Sequence, residues 1–190
     1  MRSNIKSFLK KQIKLVCYAE IDALKPGNVH KYSFGHGMTA KDFYKSANII
    51  SNYLTQKNSN FGKKILKCVL EIKKEIKQNT NLGIILLLAP VISILLNDGI
   101  LDKKNLRKKI SLLIKKQNIK DSSPIFKAIK IANPGGLGKS KNYDVRFMPK
   151  IKLYNAMNYA SKKDLIAKQY VTGFSDIFKI GVPAYKKFQS

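Results

Sequence analysis

Apolar residues recur at every third or fourth position along most of this chain, the period at which an α-helix buries one face. Ile5, Phe8, Leu9, Ile13, Val16 and Cys17 form a first stripe, ended by the turn signal Lys25-Pro26-Gly27. Thr39-Ala40-Lys41-Asp42 has the logic of a capping box with Asp in place of Glu, and Phe43, Ala47, Ile50 and Leu54 follow on one face. A third helix is expected from Phe61 to about Lys77, with Ile65, Val69, Ile72 and Ile76 inward. Gly83 to Leu96 is apolar all round and reads as a central helix. Asp102 caps another, carrying Leu106, Ile110 and Leu113. Ser123-Pro124 reads as an N-cap followed by proline at the first helical position, leading into Ile125, Ile129 and Ile131. Leu153 to Phe188 reads as one or two further helices, broken at Gly173 and at Gly181-Val182-Pro183. Sustained period-two alternation is missing throughout. The expectation is an all-α bundle forming a single domain over residues 1–190, a length that supports one core.

Charge changes the picture less than its size suggests. The chain carries 37 basic against 11 acidic residues, a formal net charge of +26. Such a balance favours phosphate-rich partners. Yet only Arg2, Arg107 and Arg146 are arginine, the usual reader of base edges, and the lysines are spread through every segment beside apolar stripes. That is the pattern of solvated helix faces, and a nucleic-acid binder stands as the alternative reading rather than the first. Attraction to small polyanions such as nucleotides holds on either reading. Two cysteines exclude a disulfide framework, and Cys17 and Cys68 sit on apolar faces as core thiols. The longest apolar run, Ile84 to Leu96, contains Pro90 and is shorter than the roughly 20 residues of a bilayer span. No signal-peptide pattern opens the chain, so the expected location is the cytoplasm, away from membranes.

Three segments depart from helix grammar. The first runs from Glu20 through Lys25-Pro26-Gly27-Asn28-Val29 to Gly35-His36-Gly37, and the second is Asn79-Thr80-Asn81-Leu82-Gly83. The third is Pro134-Gly135-Gly136-Leu137-Gly138-Lys139, followed by Asp144-Val145. Each joins glycine or a small amide or hydroxyl to a nearby charge, and freed backbone N–H groups with lysine attract anions. Bland readings compete: Lys-Pro-Gly makes an ordinary turn, and Asn79-Thr80-Asn81 can simply cap the next helix. The glycine cluster is the hardest to dismiss because it is entropically costly, although it has neither the spacing nor the preceding strand of a Walker loop. Acids are scarce, so Glu20, Asp22 and Asp144 beside these segments are candidates to hold Mg²⁺ together with substrate phosphates. Their competing role is to pair with surface lysines, the role expected for Asp164 and Asp176 within helices. His36, between two glycines, can donate to a phosphate or shuttle a proton.

In this order the segments resemble the triphosphoribosyl-dephospho-CoA synthase family, the ATP:dephospho-CoA triphosphoribosyl transferases. The resemblance rests on Glu20 with Lys25-Pro26-Gly27-Asn28-Val29, Phe43 and Ser46, and on Asn79-Thr80-Asn81-Leu82-Gly83 leading into Leu86-Leu87-Leu88-Ala89-Pro90. It continues through Ala132-Asn133-Pro134-Gly135-Gly136-Leu137-Gly138, Asp144-Val145, and Asp164 to Tyr170 with Gly173-Phe174. It implies an all-α enzyme that displaces adenine from C1′ of the ATP ribose with the 2′-hydroxyl of 3′-dephospho-CoA, using Mg²⁺. It further implies Glu20 and Asp144 as catalytic or metal-binding carboxylates. Lys25, Gly27, Asn28, His36, Asn79, Thr80, Asn81, Gly135, Gly136, Gly138 and Lys139 would then hold nucleotide and phosphate. The chain reads His30-Lys31 where citrate-lyase-type members have Asp-Arg, and Asn81-Leu82 where they have His-Lys. The acceptor therefore stays open between dephospho-CoA and a related compound, one-carbon carrier (methanopterin-type) biosynthesis included.

Overall fold

The computed structural model describes every residue except 1, 25–28, 34, 36, 58, 136, 137, 139–142, 148, 149, 189 and 190, and leaves aside the side chains of residues 2 and 3. Among the described residues the chain folds as α-helices with no strand. They are α1 (Arg2–Asp22), α2 (Ala40–Leu54), α3 (Phe61–Ile76), α4 (Leu82–Asp98), α5 (Lys103–Lys115), α6 (Ile119–Ala132), α7 (Leu153–Ala160), α8 (Leu165–Thr172) and α9 (Val182–Lys187), with a π-helical turn at Ile177–Gly181. No single helix among the described residues is long and apolar enough to cross a membrane.

The helices form where the apolar period lies, and polar side chains set their ends. Asp42 accepts from the Thr39 N–H at 2.8 Å and from its hydroxyl at 2.9 Å, closing the start of α2. Asn60, Asp102, Asn118 and Asp164 each accept a backbone N–H in the first turn of α3, α5, α6 and α8. Three expectations change here. The cap of α6 is Asn118, not Ser123, so Pro124 lies inside the helix; the carbonyl it leaves unbonded belongs to exposed Lys120, where water can satisfy it. Asp164 is a cap rather than an ion-pair partner. Asp176 does pair, with Lys168 at 3.0 Å. Gly173 ends α8 in the left-handed region, as expected, but Gly181-Val182-Pro183 does not break the chain. The π turn runs into α9, and Pro183 sits in its first turn, where its missing N–H costs nothing.

Contacts along the helices fix their directions. Lys10 meets Asn52 and Asp22 meets Tyr44, so α1 and α2 are antiparallel. Lys45 pairs with Glu75 while Lys67 reaches Gln56, so α3 runs back along α2. Asn60 donates to Asp121, and a Cβ on Gly62 would come within 2.8 Å of the Asp121 carbonyl oxygen. Only glycine lets α3 and α6 start this close, and they run parallel, with Val69 and Ile72 beside Ala132 at the far end. α4 supplies Leu82, Ile85, Leu86, Ala89, Ile92 and Ile94 to the core, joined by Ile65, Cys68, Ile110, Ile114, Ile125 and Tyr170. Burying each such side chain contributes about 1.5–3 kcal/mol relative to exposure. The neighbouring helices α7 and α8 pack together, and α8 lies against α4, with Gly83 against Ile166 and the Tyr170 hydroxyl donating to the Leu86 carbonyl at 2.6 Å.

These directions have one consequence for function. The C-termini of α1, α3 and α6 and the N-termini of α2, α4 and α8 share one end of the bundle. The α1–α2 connection, the α3–α4 turn and the start of the α6–α7 segment all leave from it.

Candidate functional site

The shared end brings together the described parts of all three segments that break helix grammar. Glu20 is half-buried in the last turn of α1. The chain after it is folded back: the Lys31 N–H donates to the Ile21 carbonyl at 3.2 Å, and Val29 is buried. Reciprocal backbone bonds join His30 to Ser33 and Gly35 to Met38 within the segment that leads to α2. Gly37, at φ 71°, lies close enough to the Gln78 amide that a Cβ there would be 3.5 Å from it. The first and second segments are therefore neighbours.

The turn between α3 and α4 is built from left-handed residues. Lys77 ends α3 at φ 65° and Asn81 precedes α4 at φ 59°. Asn81 does not cap α4 with its side chain, as a simple capping role requires; its amide donates to the buried Ser46 hydroxyl at 2.5 Å. Ser46 in turn donates to the Phe43 carbonyl at 2.9 Å. Beside it, Thr80 is 2 % exposed and its hydroxyl has no hydrogen-bond partner among the described residues. An orphaned buried hydroxyl costs about 1–3 kcal/mol. Thr80, Asn79, Gln78, Lys73, Val69, Ile72 and Ala132 line a cavity of only about 10 Å³, room for at most one water.

The third segment reaches the same end through α6. Asn133 ends that helix at φ 43°, and Gly135 is exposed, with nothing within 4 Å of where a Cβ would stand. Gly138 takes φ 59°, a conformation that favours glycine. Asp144 is buried, its side chain 6 % exposed, and it is ion-paired to Arg146, whose backbone N–H also donates to it at 2.9 Å. Lys130 in the last turn of α6 donates to the Arg146 carbonyl at 2.9 Å, tying this turn to the helix.

Of the residues singled out from sequence, Glu20, Asn79, Thr80, Asn81, Gly135, Gly138 and Asp144 are described and lie on or beside this end. Lys25, Gly27, Asn28, His36, Gly136 and Lys139 lie outside the described residues. Three residues escaped the sequence reading. Gln78 contacts the first segment, Arg146 neutralises Asp144, and Tyr44 donates to Asp22 at 2.6 Å. That bond to a carboxylate raises the Tyr44 hydroxyl above its ordinary pKa, and Tyr18 stacks edge-on against the same ring at 5.1 Å. Aromatic rings at helical spacing look like core, so nothing in the pattern marked them.

Among the described residues no three His, Cys, Asp or Glu side chains come together. Mg²⁺ accompanying a nucleotide asks for less, one or two carboxylates with phosphate oxygens completing the shell. Glu20 and Asp144 are the carboxylates of the sequence expectation at this end, and Asp144 is ion-paired to Arg146. Cys17, one turn before Glu20, and Cys68 are free and buried. Burial, with the Glu20 charge second, pushes the Cys17 thiol up to about 12, and burial pushes Cys68 above its ordinary range. Both stay protonated and serve packing, as expected.

An all-α bundle whose backbone turns gather small amides, a hydroxyl and glycines at one end is a helical protein and not a Walker or dinucleotide fold. The family is shown by comparison: a model of the ATP:dephospho-CoA triphosphoribosyl transferase (CitG) family matches residues 6–190, and the chain belongs to that family of transferases. Comparison with curated proteins and with solved structures gives no match.

Proposed function

We propose that this chain transfers the triphosphoribosyl group of ATP to the ribose 2′-hydroxyl of 3′-dephospho-CoA or a closely related acceptor, releasing adenine. The carrying observation is the gathering of Asn79-Thr80-Asn81, the end of α1 and the start of the glycine segment at one end, in a chain matched along residues 6–190 by this family. In the reaction the bond between C1′ and N9 of adenine breaks, and a bond from the acceptor oxygen to C1′ forms. The hydroxyl proton goes to a base, and the leaving adenine takes up a proton.

Glu20 is the carboxylate best suited to accept that proton or to steady positive charge at C1′. Thr80 and Asn79 offer a hydroxyl and an amide to the phosphate chain or ribose, joined from the undescribed positions by Lys25, Asn28, His36, Gly136 and Lys139. Mg²⁺ would neutralise the triphosphate, with Glu20 completing its shell. Substrates of this kind are soluble, and the reading places the protein in the cytoplasm.

The test is chromatographic. Protein, ATP, Mg²⁺ and 3′-dephospho-CoA are incubated, and free adenine is measured with the product mass. Stoichiometric adenine and a triphosphoribosyl adduct, both lost in Glu20→Gln with its fold intact, support the reading. ATP binding without adenine release from any 2′-hydroxyl acceptor overturns it.

A further inference from the structure

A second cavity lies away from the loop end. It is an open groove of about 610 Å³ between α5 and the chain that follows α8, lined by Lys103, Lys104, Arg107, Lys108, Lys115 and Lys179. No acidic residue lines it; Ser111, Leu112, Thr172, Gly173 and Phe178 complete its walls. On α5 the cations recur at helical spacing over about 18 Å, and Lys179 faces them from the π turn. None of Lys103, Lys104, Lys108 or Lys179 forms an ion pair among the described residues, whereas the adjacent Lys109 pairs with Asp98 at 2.6 Å.

The groove is built rather than incidental. Arg107 donates from Nε to the Gly173 carbonyl at 2.9 Å and from its terminal nitrogen to the Thr172 carbonyl at 3.1 Å. These carbonyls end α8 and carry the negative pole of its dipole, so the guanidinium masks that pole while keeping its own charge. Gly173, at φ 62°, has Ser111 where a Cβ would lie 3.4 Å away. Glycine tolerates this left-handed backbone, which turns the chain at the end of α8 beside α5. Five like charges along α5 and a sixth facing them on Lys179 repel one another, and no acidic residue lines the groove to offset them.

We infer that this groove is a second polyphosphate site, separate from the loop-end site, which takes the phosphate chain of a small molecule such as a nucleoside triphosphate. Its volume is that of a small-ligand pocket, and Leu112 and Phe178 add apolar surface for the non-phosphate part. The single guanidinium is spent on backbone carbonyls, which leaves no bidentate reader for a base edge and favours a small polyphosphate over nucleic acid.

The experiment uses the full chain and inorganic tripolyphosphate, followed calorimetrically at low and moderate salt. Lys104→Glu with Lys108→Glu reverses two groove charges; Lys116→Glu with Lys120→Glu makes the same net change outside the groove. Circular dichroism checks both folds, and Lys104→Ala with Lys108→Ala serves if the reversal unfolds. The expected result is a loss of about tenfold or more in tripolyphosphate affinity for the groove variant and little change for the control. Equal losses in both variants overturn the proposal, because the chain's overall field then accounts for binding. So does loss of an oligothymidylate 12-mer from the groove variant when tripolyphosphate binds no better than inorganic phosphate. Adenine release is read separately, so failure here leaves the loop-end reading standing, and failure there leaves this one.

Discussion

The amide of Asn81 donates to the hydroxyl of Ser46 over 2.5 Å, fastening the turn before α4 to the second turn of α2. The bond crosses 35 residues of sequence, and one of its partners stands at φ 59°. Asn tolerates that conformation better than most residues, so its identity serves both backbone and side chain. Asn81→Gly keeps the backbone geometry and removes the bond, and should destabilise by about 1 kcal/mol. Asn81→Ala loses both and should cost about 2 kcal/mol or more. Urea unfolding of the two variants separates the contributions; equal costs would show that the hydrogen bond alone matters.

Thr80 gives the opposite sign. Its hydroxyl is buried and unpartnered, so Thr80→Val should be neutral or stabilising by up to about 1 kcal/mol in the free protein. If the hydroxyl is kept for a ligand, the same variant should weaken ATP binding at the loop end. Thermal unfolding with and without ATP and Mg²⁺ reads both effects at once. A variant destabilised alone and unchanged in its ATP response would make Thr80 a structural residue.

The helical period carried most of the fold, because burial of one face dominates where apolar residues repeat cleanly, as in Ile65-Val69-Ile72. It misplaced the start of α6, where Asn118 outcompetes Ser123 by capping from further upstream, and it broke the end of the chain at Gly181, where a π turn absorbs the glycine. Of the candidate site, the local signals survived: Asn79 to Asn81 and the carboxylates were visible as breaks in pattern. What stayed hidden was pairwise. Nothing in the spacing of Asp144 and Arg146 distinguishes a poised carboxylate from a neutralised one, and nothing before folding places Gln78 beside Gly37.

The two buried thiols predict an alkaline weakness. In the folded chain Cys17 keeps its proton up to about 12, and Cys68 is shifted in the same direction. Unfolded cysteines release theirs near 8.5, so above that pH the unfolded state binds fewer protons and stability falls as pH rises. Each thiol contributes a slope of up to about 1.4 kcal/mol per pH unit. Urea midpoints between pH 8 and pH 10 should decline, and Cys17→Ala with Cys68→Ala should flatten the decline. An unchanged slope in the double variant would assign it to other groups.

At the acid end the sign reverses. Asp102 is held below its usual range by the Asn105 N–H, Glu75 by Lys45 and Asp176 by Lys168. A depressed carboxylate supports the fold above its unfolded pKa, near 4, and that support is lost as pH falls through the lower folded value. All three lie in solvent, so each effect is small. Thermal midpoints measured from pH 6 to pH 2 should drop below about pH 4, with a shallower drop in Asp102→Asn.

Asp144 and Arg146 pose the sharpest question about the loop end. The carboxylate is buried and the guanidinium half-exposed, so removing Arg146 takes away the charge that offsets a buried carboxylate, while removing both leaves no such imbalance. Arg146→Gln and Asp144→Asn should each lower the melting temperature, and the double variant should be no worse than the poorer single one, since both break one interaction. Adenine release then discriminates the roles. If Asp144 serves only to anchor its turn, the two single variants lose activity in step with each other. If it instead contacts Mg²⁺ or the acceptor hydroxyl, Asp144→Asn stays inactive under conditions where Arg146→Gln, which keeps the carboxylate, still turns over.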